Sequence, residues 1–177
     1  MTYKQQSLID DFLNVLPEDE KYVFGDVINC IVEFGYIPQK QKVKDFVLSF
    51  KHFQNGKIIA KMGVRKQKSF LSIKFFACKD VPEKYISVLG ENADDAYDRL
   101  APPKRDELRP NEIMLKCTFS CNICTGGKMR YYHQYPNGKE IYRCGAYPVL
   151  LPDITENDIV DLKRLISEQH SYFLSIA

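Results

Sequence analysis

Four cysteines constrain this chain more than anything else in it: Cys117, Cys121 and Cys124, separated by three and two residues, and Cys144, after nineteen intervening residues. Soft, deprotonated ligands in a tetrahedron are what zinc requires, and a Cys-x-x-Cys turn can fold around one ion. Gly126, Gly127 and Gly145 stand beside the thiols, where the chain has to pass close to them. Pro136-Asn137-Gly138 is a hairpin signal between Met129 and Arg143, and a hairpin there carries Cys144 back to the other three. The expected site is a closed, structural zinc held by Cys117, Cys121, Cys124 and Cys144, zinc-ribbon-like with a three-plus-one ligand split. His133 is an alternative ligand, although a histidine near a hairpin tip is more often solvated.

Other readings of the same cysteines are weaker. Unrelated buried cysteines would not cluster this way: four of the six fall within 28 residues. A dithiol pair at Cys121 and Cys124 would normally stand at a helix N-terminus after a strand, and here glycines follow. An iron–sulfur centre on the same four thiols is chemically open. Cys-x3-Cys-x2-Cys also resembles the cluster motif of radical SAM enzymes, but Ile123 stands where that family usually has an aromatic residue. Only 53 residues follow Cys124, too few for that family's barrel.

The chain's 177 residues, 45% of them hydrophobic and 27% charged, suffice for an ordinary core without metal. No apolar run approaches the roughly 18 residues of a membrane span. Asp10 and Asp11 stand where a signal peptide needs an apolar stretch. A cytoplasmic protein is expected, in which thiols stay reduced and clustered cysteines read as metal ligands. The net charge of +2 hides an asymmetry: residues 1–38 balance at −5, residues 39–79 at +10 and residues 80–177 at −3.

Along the chain, Leu8, Ile9, Phe12, Leu13 and Leu16 recur at helical spacing. Pro17 interrupts that helix and suits the first turn of a second, with Glu18, Asp19 and Glu20 at its positive end. That helix carries Val23, Phe24, Val27, Ile28, Ile31 and Phe34 to a stop at Gly35, making a helical hairpin. Cys30, beside the apolar face, reads as a small buried hydrophobe. A three-stranded antiparallel meander follows: Val43 to Phe53, Lys57 to Arg65 after Asn55-Gly56, and Ser69 to Ala77. Alternation puts Ile58, Ala60, Met62, Val64, Leu71, Ile73, Phe75 and Ala77 inward. A helix is expected from Asp80-Val-Pro82-Glu83, then a proline-punctuated linker over 101–112. The last helix begins at Thr155, capped with Asp158, and runs through Ile159, Leu162, Leu165, Ile166, Tyr172, Phe173 and Ile176. The expected fold is α+β: an α+β part over 1–100, the linker, and the cysteine hairpin with terminal helix over 113–177, packed on the first part.

On the outer face of the meander, Lys57, Lys61, Arg65, Lys74, Phe70 and Phe76 form a candidate partner-binding surface for nucleic acid or another anionic ligand; a solvated lysine face explains the same pattern. A second basic and aromatic cluster, Lys128, Arg130, Tyr131, Tyr132, Tyr135, Lys139, Tyr142 and Arg143, belongs to the hairpin. There is no GxSxG, HExxH, phosphate loop or GxGxxG, and His52, His133 and His170 lie far apart in sequence.

The last 65 or so residues, with Cys117, Cys121, Cys124, Gly138, Tyr142 and Cys144, resemble a group of small uncharacterised bacterial proteins. These close with a cysteine cluster, a Gly/Tyr-rich hairpin, a Tyr-x-Cys step and a final helix. The resemblance implies that architecture and no particular activity. The expected function is a non-enzymatic binding or regulatory module with a structural zinc. The alternative is a small redox or metal-dependent enzyme using the cysteine cluster, iron–sulfur included.

Overall fold

The structure, a computed structural model, describes residues 1–65, 67–89, 128–134, 137–138, 140–151 and 153–176. It has the α+β class expected. Helix α1, Tyr3–Asn14, opens on a capping box in which Gln5 N donates to Thr2 Oγ1 at 3.3 Å and Thr2 N to Gln5 Oε1 at 2.8 Å. Helix α2, Glu18–Glu33, begins after Pro17 with three acids in its first turn.

Five strands form one antiparallel sheet: β1 (Tyr36–Lys40), β2 (Phe46–His52), β3 (Ile58–Arg65), β4 (Lys68–Ile73) and, far downstream, β7 (Val149–Leu150), in the order β1-β2-β3-β4-β7. The expected meander is its centre. Both edge strands are additions. Gly56 takes φ +69° in the β2–β3 turn, the conformation that Asn-Gly turns require. A register shift between Phe50 and Lys51 leaves Ile59 as an extra residue opposite β2, a β-bulge. Strict alternation therefore fails at that point: Ile59 and Ala60 are both fully buried.

One face of the sheet is set by the paired positions Leu48–Met62–Leu71 and Phe50–Ala60–Ile73–Val149, all buried. Phe12 packs edge-on against Phe24 at 5.5 Å and stacks on Phe46 at 6.2 Å, joining α1, α2 and β2. Helix α4, Ile159–Ser175, adds the buried Leu162, Leu165, Ile166 and Phe173 and packs on α2.

The third expected strand ends early. Lys74 N still donates to Ile59 O at 2.8 Å; beyond it the chain lies along α4: Ala77 N donates to Gln169 Oε1 (3.1 Å), Lys79 N to Glu168 Oε2 (2.8 Å), and Arg164 donates to the carbonyls of Lys79 and Asp80 (2.9 and 2.8 Å). Side chains of α4 thus satisfy backbone groups that a longer strand would have paired. Helix α3 is a short piece, Glu83–Ile86, followed by a 3-10 turn, Ser87–Leu89. Its Lys84 ammonium and Tyr85 hydroxyl both engage Asp158, the latter at 3.0 Å. Asp158 also closes the capping box before α4, accepting from Thr155 N at 2.7 Å. Burial opposes its charge, but these bonds overrule it and hold the carboxyl below its usual range. The expected linker, 101–112, lies outside the described residues.

Strands β5 (Arg130–Gln134) and β6 (Glu140–Cys144) form a separate two-stranded ribbon. Tyr131 ties it to the body, buried against Phe75 (4.9 Å) and Phe76 (5.8 Å), and its hydroxyl accepts from Phe75 N at 3.0 Å.

Candidate functional site

Of the four expected zinc ligands, Cys144 is described; Cys117, Cys121 and Cys124 lie outside the described residues. Among the described residues no three His, Cys, Asp or Glu side chains come together as a metal site. Cys144 itself sits in a closely packed corner of the ribbon. Cys144 ends β6 directly opposite Arg130, and Gly145 N donates to Met129 O at 2.8 Å, fastening the base of the ribbon. A Cβ on Gly145 would stand 2.4 Å from Met129 O and 2.8 Å from the Phe76 ring, so only glycine lets the two strands and the body close here.

Lys74 is near enough to interact electrostatically with Cys144, and only 7% of its surface is exposed. Burial lowers its ammonium to about 8, with Lys57 and Lys61 adding to the fall; a negative Cys144 sulfur acts the other way. His133 pairs with Ile141, three residues along the strand from the Arg130–Cys144 pair. An odd offset puts His133 and Cys144 on opposite faces of the ribbon, about 10 Å apart, so the geometry does not favour them as joint ligands.

The ribbon's two faces separate the aromatic and basic cluster. Tyr131 and its partner Arg143 turn toward the body and are buried, Arg143 to 1% exposure. Tyr132 and Tyr142, also paired, are on the other face, with Tyr132 half exposed. Their rings lie 5.2 Å apart, both hydroxyls donate to Glu140 (2.9 and 2.8 Å), and the Arg130 guanidinium sits 5.7 Å from the Tyr142 ring. Those hydrogen bonds hold the Glu140 carboxyl below its usual range.

The expected outer basic surface is not laid out as a solvated face. Lys61 lies between Ser49 and Ser72, and burial lowers its ammonium. Arg65 reaches Asp45 at 3.5 Å and lies 5.3 Å from the Phe70 ring, which covers Gly63. Lys74 and Phe76 follow the last residue of β4; Phe76 packs against Tyr131, Tyr172 and Phe173. Alternation alone could not anticipate this burial, because it marks a face without saying what lies on it.

Two histidines far apart in sequence do meet. His52, 4% exposed at the end of β2, lies 5.6 Å from His170 of α4, between Tyr36 and the stacked Phe34 ring. Tyr36 hydroxyl and His170 Nδ1 are 3.4 Å apart. Burial lowers the His170 imidazole, and His52 adds to the effect; burial pushes the Tyr36 hydroxyl up. Among the described residues, neither a carboxylate nor a Ser or Cys side chain joins these ring contacts. The other described thiols are poor nucleophiles: burial raises Cys30 and pushes Cys78 up to about 12, and Cys78 donates to Leu165 O at 3.1 Å.

No protein-family model, curated protein or solved structure matches this chain. Among the described residues no helix is long and apolar enough to cross a membrane.

Proposed function

We propose that the chain is a non-enzymatic binding module whose ribbon is closed by a structural zinc on Cys117, Cys121, Cys124 and Cys144. The observation that carries this reading is the position of Cys144, at the base of the ribbon opposite Arg130, the sixth residue after Cys124. The return strand delivers a thiol to the end of the ribbon where the chain arrives from Gly127. The sequence supplies the other three thiols at ligand spacing immediately before that point.

Bound zinc would supply a cross-link rather than a reaction, since four thiolates leave no position for an activated water. Lys74 would offset part of the thiolates' negative charge. Binding falls to the outward ribbon face, where Tyr132 and Tyr142 present flat aromatic surface already fixed by Glu140; such rings add contact area at small entropic cost. Reduced thiols of this kind fit a reducing, cytoplasmic setting.

Elemental analysis of the purified chain tests the reading. About one zinc per chain is expected, falling well below that in Cys144→Ser and Cys121→Ser. Iron in place of zinc, or full zinc retention by Cys144→Ser, contradicts it.

A further inference from the structure

Between the first turn of α2, the start of β4 and the segment after β7 lies an open cleft of about 490 Å³, within the roughly 300–1,000 Å³ typical of small-molecule sites. Phe24, Leu71 and Leu151 give it an apolar lining, and all three are buried. Charges of both signs line the rest: Glu20 and Asp153, Arg65 and Lys68.

The informative atom is Glu20 Oε2, which is shielded from solvent and has no hydrogen-bond partner, on a residue that is half-buried as a whole. Glu20 belongs to the first turn of α2, where the peptide dipoles favour a carboxylate. A buried acceptor without a donor is costly and calls for an explanation. An arriving N–H donor would satisfy it. Lys68 is exposed and is available to an anionic group. A simple phosphate would meet two carboxylates, and a simple amine would meet two cations, so neither matches the lining alone.

We propose that this cleft binds a zwitterion with an apolar body: a free apolar α-amino acid or a short apolar peptide. Its ammonium donates to Glu20, its side chain lies on Phe24, Leu71 and Leu151, and its carboxylate faces Lys68. Calorimetric titration of the full chain with L-leucine, L-leucyl-L-leucine, N-acetyl-L-leucyl-L-leucine and L-leucyl-L-leucine amide tests this. At least one of the two free zwitterions should bind saturably, and the tighter of them identifies the source. N-acetylation should weaken binding about tenfold or more by removing the charge-assisted donor, a comparison that needs no variant. Glu20→Gln should weaken the free ligands to a similar extent, and Lys68→Glu should weaken the free acids while sparing the amide. Absence of saturable binding by both free ligands overturns the proposal, as does binding that N-acetylation and Glu20→Gln leave unchanged.

Discussion

The body and the ribbon of this protein are built from the same kind of strand pairing and held by different means. In the body, β2, β3 and β4 pair along most of their length, and helices from both ends of the chain cover their apolar side chains. The ribbon has two five-residue strands, and among its described residues Tyr131 is buried. A lone two-stranded hairpin is marginal in water. The contrast teaches where a metal would matter: the body carries its own core, whereas the described strands of the ribbon rest on their pairing and on contacts such as those of Tyr131 with Phe75 and Phe76.

Breaking the body should have the largest effect. Phe12 is fully buried between Phe24 and Phe46, and Phe12→Ala should cost about 3–5 kcal/mol. Denaturant unfolding should show the whole chain shifting, ribbon included, because the ribbon leans on the body.

Next comes the contact between the two regions. Tyr131→Phe removes the acceptor for the buried Phe75 N while keeping the ring contacts with Phe75 and Phe76. A loss of about 1–3 kcal/mol is expected. Hydrogen exchange should rise in 130–144 and change little in 46–65; equal acceleration in both would mean that the ribbon is not a separate unit.

Much of the body could be read from residue pattern, for reasons that particular elements make plain. Helices α1 and α2 follow from apolar spacing and from Pro17, and the β2–β3 turn from Asn55-Gly56. Strand β1 was hidden by Pro38, which argues against a central strand and is tolerated here because β1 lies at the sheet edge. Strand β7 is two residues long, too short for any period to appear. The bulge at Ile59 interrupts the alternation between Lys57 and Lys61, while Lys61 keeps its expected place opposite Ser49 and Ser72 and Lys74 follows the end of β4. The meeting of His52 and His170 is a purely tertiary event with no local signal. At the candidate metal site the reverse holds: ligand spacing is a local signal, so the sequence names all four cysteines, while the described structure adds the ribbon register around Cys144.

The smallest effect concerns the histidine pair, which belongs wholly to the body. The folded state favours neutral His170, its imidazole being lowered by burial and by His52. Stability from this group is therefore complete above the unfolded value near pH 6.5. It is lost as pH falls from there through the lowered folded value. His170→Phe, which keeps a ring against Phe34, should flatten the decline in melting temperature between about pH 7 and pH 5. A steeper decline in the variant would contradict this sign.

The most direct measurement compares the two regions with and without chelator, by hydrogen exchange on the full chain at neutral pH. With zinc bound, the ribbon amides in 130–134 and 140–144 should be protected. A chelator strong enough to strip the metal should release them, while the amides of β2, β3 and β4 stay protected; Cys144→Ser should give the stripped pattern without chelator. Ribbon protection that survives complete removal of metal, or a body that unfolds together with the ribbon, would contradict the account.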